Sequence, residues 1–146
     1  MVYLTRKEHF NAAHRLFRED WSEEKNEEIF GKCANKNWHG HNYDIYVTVK
    51  GDPDLETGFI MNAKKLGQII TEHVTNKLDH KNLNVDVPFM EGKLTSTENL
   101  IREVWKQIEP YIEGCELYAI KIQETETIWC EYFGEEEARK NLKVIR

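Results

Sequence analysis

The chain has 146 residues, 40% of them hydrophobic and 32% charged, with a net charge of -6. That is enough length for one self-sufficient core and too little for two domains, so a bound metal would serve function rather than folding. The acidic balance argues against a nucleic-acid footprint; no apolar run reaches the roughly 18–20 residues of a membrane span; three scattered cysteines exclude a disulfide framework. The N-terminus runs directly into alternating sequence without a signal-peptide core, and a cytoplasmic location is expected.

Residues 3–14 alternate and predict a first strand, with Glu8, Phe10, Ala12 and His14 on one side. The acidic stretch 18–28 reads as a solvated loop or short surface helix. Residues 38–50 predict a second strand whose one face carries His39, His41, Tyr43, Ile45, Val47 and Val49. Turn residues follow at 51–54 and 57–58. Asn62 then stands as N-cap to a helix with the stripe Leu66, Ile69, Ile70, His73, Val74 and Leu78. Thr95 and Glu98, in capping-box register, open a second helix striped by Leu100, Ile101, Val104, Trp105 and Ile108, which Pro110 ends. Residues 117–124 and 128–133 predict a hairpin in which Tyr118, Ile120, Ile122 and Glu124 share a face. The expectation is a single α+β domain over 1–146, a four-stranded antiparallel sheet with two helices on one face. Open sheet edges point to self-association.

His39-Gly40-His41 is the sharpest local feature, because residues i and i+2 of a strand present both imidazoles to one side. His14, at the end of the first strand, is the natural third ligand of an open metal site; ordinary sheet packing is the competing reading. Cys33, six residues before His39, is either a base or nucleophile beside that metal or a small buried hydrophobe. Asp79-His80 serves as a proton relay or as a helix-end polar pair. Glu124 either turns a carboxylate into an apolar face, where a guanidine-like ligand edge would satisfy it, or ends its strand in solvent.

Together these segments resemble the 6-pyruvoyltetrahydropterin synthase family, from about residue 8 to 132. Phe10-Asn11-Ala12-Ala13-His14-Arg15-Leu16 resembles the family's first zinc-histidine segment. Phe30-Gly31-Lys32-Cys33 and Asn37-Trp38-His39-Gly40-His41-Asn42-Tyr43 resemble its catalytic-cysteine and histidine-pair segments. Leu78-Asp79-His80-Lys81-Asn82-Leu83-Asn84 resembles its relay, Ser96-Thr97-Glu98-Asn99 its pterin cradle, and Glu124-Thr125 its pterin anchor.

The resemblance implies Zn²⁺ on His14, His39 and His41, Cys33 as base with Asp79 and His80 as relay, and Glu124, Ser96 and Thr97 around the pterin. It implies conversion of 7,8-dihydroneopterin triphosphate to 6-pyruvoyltetrahydropterin with elimination of triphosphate, a lyase reaction of tetrahydrobiopterin biosynthesis. It also implies the tunnelling fold, in which trimeric barrels stack as a homohexamer and a neighbouring subunit supplies the relay. The alternative within the family is the 6-carboxytetrahydropterin synthase of queuosine biosynthesis, which releases acetaldehyde from the same substrate. Five residues separate Cys33 from His39 here, against three typical of that branch, which favours the pyruvoyl product. A non-catalytic zinc or pterin binding module is disfavoured by the presence of base, relay and anchor together. Ser96 stands where eukaryotic members usually carry threonine, and the 125–127 turn is one residue shorter than theirs.

Overall fold

Residues 1–135 are described by the computed structural model, and the part of the expected domain beyond 135 lies outside them. The two long strands, β1 (Val2–His14) and β2 (His39–Gly51), pair antiparallel from Val2 opposite Gly51 to His14 opposite His39. Alternation drives this pairing: Tyr43, Ile45, Val47 and Val49 of β2 are wholly buried on one face while their neighbours are not. β4 (Glu116–Thr125) and β5 (Ile128–Tyr132) complete the expected hairpin.

The sheet is five-stranded, in the order β3-β1-β2-β4-β5, rather than four-stranded. The additional strand, β3 (Lys81–Asn82), runs parallel to β1 at Ala12 and Ala13. It is too short to have a period; its pairing comes from docked backbone on either side. The His80 amide donates to the Asn11 carbonyl (2.7 Å), the Leu83 amide to the Ala13 carbonyl (2.8 Å), and the Asn11 amide to the Asp79 carboxylate (2.9 Å).

β4 carries two bulges, and the first corrects an expected face. Thr48 pairs with Ala119 but Val49 with Leu117, so one extra residue at Tyr118 switches the alternation. Leu117 enters the core, and Tyr118 packs against Tyr3 on the reverse face, ring centroids 4.8 Å apart. The second bulge falls at Glu124, between Gln123 opposite Trp129 and Thr125 opposite Ile128.

The acidic stretch forms α1 (Glu23–Phe30), opened by Ser22, whose hydroxyl accepts the Lys25 amide. Asn62 caps α2 (Ala63–Ile70) as expected. The rod continues through a π-helical turn at Thr71–Thr75 into α3 (Asn76–Leu78). α4 (Thr97–Ile108) is capped by Ser96, not by Thr95: the Ser96 hydroxyl accepts the Asn99 amide (3.2 Å). Thr95 is diverted, its hydroxyl donating to Asn84 Oδ1 (3.0 Å).

Leu66, Ile70 and Val74 from the first rod and Leu100, Val104 and Ile108 from α4 meet the inner sheet face in one core. Each such side chain contributes about 1.5–3 kcal/mol by leaving water. No helix among the described residues is long and apolar enough to cross a membrane. At one end of this inner face the aliphatic side chains give way to histidine.

Candidate metal centre and active site

His39 and His41 project from the same face of β2, and the β1 register places His14 directly opposite His39. One nitrogen from each of the three lies within 4.8 Å of the others. Their ring centroids form a triangle of 4.5, 5.0 and 5.2 Å. Gly40 keeps the strands close, since a Cβ there would sit 3.2 Å from the Ala12 carbonyl oxygen.

His14 is 1% exposed, and its Nδ1 lies 2.7 Å from the Thr95 carbonyl oxygen. A carbonyl only accepts, so Nδ1 carries the proton and Nε2 presents a lone pair. That Nε2 is buried with no hydrogen-bond partner, as is His39 Nδ1. Burial is the main force holding all three imidazoles below their ordinary range, despite the opposing pull of the Glu124 carboxylate. Three neutral imidazoles around an orphaned lone pair fit a divalent metal of the borderline class, and the Thr95 carbonyl orients one ligand from behind.

Glu124 does not end in solvent. It shares the parity of the buried Ile120 and Ile122 and faces the triad, with its side chain 17% exposed and Oε1 3.4 Å from His14 Nε2 and 3.3 Å from His41 Nε2.

Tyr43, two residues beyond His41, is wholly buried, stacks on Phe10 at 4.8 Å, and meets His41 edge-on at 5.5 Å. Its hydroxyl has no partner. Burial first, then the charges of Glu124 and Cys33, drive its ionisation far above the ordinary phenol range. Cys33 is therefore within electrostatic reach of the same pocket. It sits on a 3-10 turn (Gly31–Ala34) whose Cys33 carbonyl accepts the Leu16 amide (2.8 Å), tying the turn to the chain just after His14. Its thiol is free and half-buried. Thr97 is buried with an unpartnered hydroxyl, while the Ser96 oxygen is already committed as a cap.

Asp79 and His80 form a pair, Oδ2 to Nδ1 2.8 Å, at the edge of the sheet, where the segment is bonded to the backbone of Asn11 in β1. His80 borders an open cleft of about 490 Å³ that is also lined by Asn11, Ala13, Gly40 and Asn42, and by His41 of the triad. The Asn11 amide, and then His80, hold the Asp79 carboxyl below the ordinary carboxylate range. His80 adopts φ +60°, a left-handed conformation unusual for a residue with a Cβ, and its side chain is 77% exposed. Among the described residues no hydrogen bond, ion pair or ring contact links Asp79 or His80 to Cys33 or the triad.

Of the residues singled out from sequence, one chain thus assembles His14, His39, His41 and Glu124, places Cys33 and Thr97 around them, and keeps Asp79 and His80 apart. Three site residues escaped that reading. Tyr43 was legible only as a core position, though its parity with His41 carried the information. Thr95 was read as a cap, and its role lies in a backbone carbonyl. Asn84 clamps Arg15 by accepting its amide (2.9 Å) and donating to its carbonyl (2.8 Å), fixing the chain beside His14.

A family model described as 6-pyruvoyl tetrahydropterin synthase matches residues 3–135. The 6-pyruvoyl tetrahydrobiopterin synthase of Dictyostelium discoideum is 46% identical over 134 residues, spanning 92% of this chain and 97% of its own length. That of Homo sapiens is 39% identical over 132 residues, spanning 90% and 91%. The solved Caenorhabditis elegans 6-pyruvoyl tetrahydropterin synthase superposes with a TM-score of 0.85 at 34% identity, covering 92% of this chain and 96% of that one.

Proposed function

Because the chain belongs to the 6-pyruvoyl tetrahydropterin synthase family, we propose that it is a zinc-dependent 6-pyruvoyltetrahydropterin synthase. It is a carbon-oxygen lyase that converts 7,8-dihydroneopterin triphosphate to 6-pyruvoyltetrahydropterin and triphosphate, and it works in the cytoplasm. The observation that carries this reading is the triad itself, three neutral imidazoles with a buried, unpartnered Nε2 on His14.

His14, His39 and His41 hold Zn²⁺. When bound, the ion supplies Lewis acidity toward the substrate's side-chain hydroxyls and so acidifies the neighbouring C-H. Cys33 removes that proton as a thiolate. Glu124 takes the pterin's amino-pyrimidine edge, whose N-H donors match a carboxylate. Thr97 offers its unpartnered hydroxyl to the ring, and Ser96, which accepts as a cap, still has an O-H to donate. Elimination and tautomerisation oxidise the side chain as the ring is reduced, so no external electron carrier is required.

Asp79 and His80 act on the Cys33 of a neighbouring subunit. Two observations support this: among the described residues no hydrogen bond, ion pair or ring contact links the pair to Cys33 or the triad, and strands at the sheet's edges leave backbone unpaired. Among the described residues β5 pairs only with β4, and β1 meets β3 only at Ala12 and Ala13. Edge-to-edge joining of copies closes trimeric barrels, and two of these stack as a homohexamer. One family domain spans residues 1–146.

Triphosphate release from 7,8-dihydroneopterin triphosphate tests the metal assignment. It should vanish on chelation and return with Zn²⁺; equal release by His14→Ala would overturn the assignment. Mixing Cys33→Ala with His80→Ala chains tests the assembly. Activity should reappear in the mixture, and its failure to exceed the separate variants would place the relay within one chain.

A further inference from the structure

Glu124 is a partly buried carboxylate that, among the described residues, has no Lys or Arg within 4.0 Å; the titratable groups that close to it are His14 and His41. A carboxylate withdrawn from water needs a cation or hydrogen-bond donors. A neutral His14 offers this carboxylate no proton, because its Nδ1-H is committed to the Thr95 carbonyl and its Nε2 is bare and has no hydrogen bond. A nitrogen lone pair and a carboxylate oxygen thus face each other at 3.4 Å, an arrangement that repels unless a cation lies between them.

The spacing of Glu124 to two of the three histidines fits a small tetrahedral cation. Around a tetrahedral ion with bonds of about 2.0–2.1 Å, neighbouring ligand atoms lie about 3.3 Å apart. Glu124 Oε1 stands 3.4 Å from His14 Nε2 and 3.3 Å from His41 Nε2, on such an edge with each.

We propose that Glu124 is a metal ligand of the substrate-free protein, and that an arriving pterin draws this carboxylate off the ion onto its own amino-pyrimidine edge. The second half rests on the pterin-anchor role proposed above. The two parallel N-H donors of that edge engage both carboxylate oxygens, so binding the pterin competes with binding the metal. The exchange frees a coordination position only when the ring is seated, which couples recognition of the pterin to access of its side chain to the ion. At rest the ion carries its own displaceable carboxylate.

The test uses the full-length protein loaded with Zn²⁺ for affinity and with Co²⁺ for visible absorption. Glu124→Gln should lower metal affinity about tenfold or more in chelator competition, and should alter the Co²⁺ spectrum. Unsubstituted pterin, which has the anchor edge but no side chain to reach the ion, should move the Co²⁺ spectrum of the parent protein toward that of Glu124→Gln. It should leave the variant's spectrum unchanged. Equal metal affinity and identical spectra for parent and variant would overturn the ligand assignment, even with pterin binding lost in the variant, a result that would leave the anchor role standing. Pterin binding that leaves the parent's spectrum unmoved would overturn the exchange. Pterin binding of equal strength in parent and variant would instead sink the anchor role. Glu124→Asp, which keeps the charge on a shorter arm, should fall between the two in metal affinity and gives the same decision if Glu124→Gln does not fold.

Discussion

The inner face of β2 does two different jobs at its two ends. From Tyr43 to Val49 its inward residues are wholly buried and backed by Leu66, Ile70, Leu100 and Ile108. Beyond Tyr43 the same alternation, on the same backbone and in the same pairing, presents His41 and His39 with His14 across from them. From Ile45 to Val49 the inward side chains carry no polar atom to satisfy. In the histidine half His14 Nε2, His39 Nδ1, the Tyr43 hydroxyl and the Thr97 hydroxyl are all buried without hydrogen bonds. Each such group costs about 1–3 kcal/mol, so this end is under-satisfied until a ligand arrives, and the packed half carries it. Stability and chemistry are divided along one strand.

The sharpest way to break this division is to remove a ligand. His41→Ala should abolish both metal retention and turnover while melting close to the metal-free parent; metal content and a thermal melt decide it, and collapse of the fold would contradict the division. Cys33→Ala should cut turnover by about 10²–10⁴-fold, the range of a lost general base, with metal content intact. In the other half, Ile45→Ala should cost about 2–5 kcal/mol in denaturant unfolding while turnover per folded molecule stays near the parent value at low temperature. Zinc itself should raise stability by about 2.7 kcal/mol at a hundredfold excess over its dissociation constant, and a melt indifferent to zinc would contradict the site. The smallest effect is expected at Ser96→Ala, about 1 kcal/mol from the lost cap of α4, because capping and not packing is what that side chain does there.

The division was largely legible in sequence because its carriers are periodic. Thirteen-residue strands with clean alternation define each other's faces, and His39 and His41 share a face by spacing alone. What escaped has no period. A bulge inserts one residue without changing composition, so Tyr118 was expected inside and Leu117 took its place. Thr95 and Ser96 are both good caps, and only the pull of Asn84 on Thr95 decides between them. Asp79-His80 was legible as a pair, but the turn that pins it to Asn11 at the sheet edge has no period to reveal it. The roles of individual site residues came from the family resemblance, since an isolated cysteine or glutamate carries no spacing.

Product analysis tests the central claim most directly. Zinc-loaded protein is incubated with 7,8-dihydroneopterin triphosphate, the pterin product is weighed by mass spectrometry, and acetaldehyde is trapped in parallel. The account predicts 6-pyruvoyltetrahydropterin with no acetaldehyde; a carboxy product with acetaldehyde, or unreacted substrate, would contradict it.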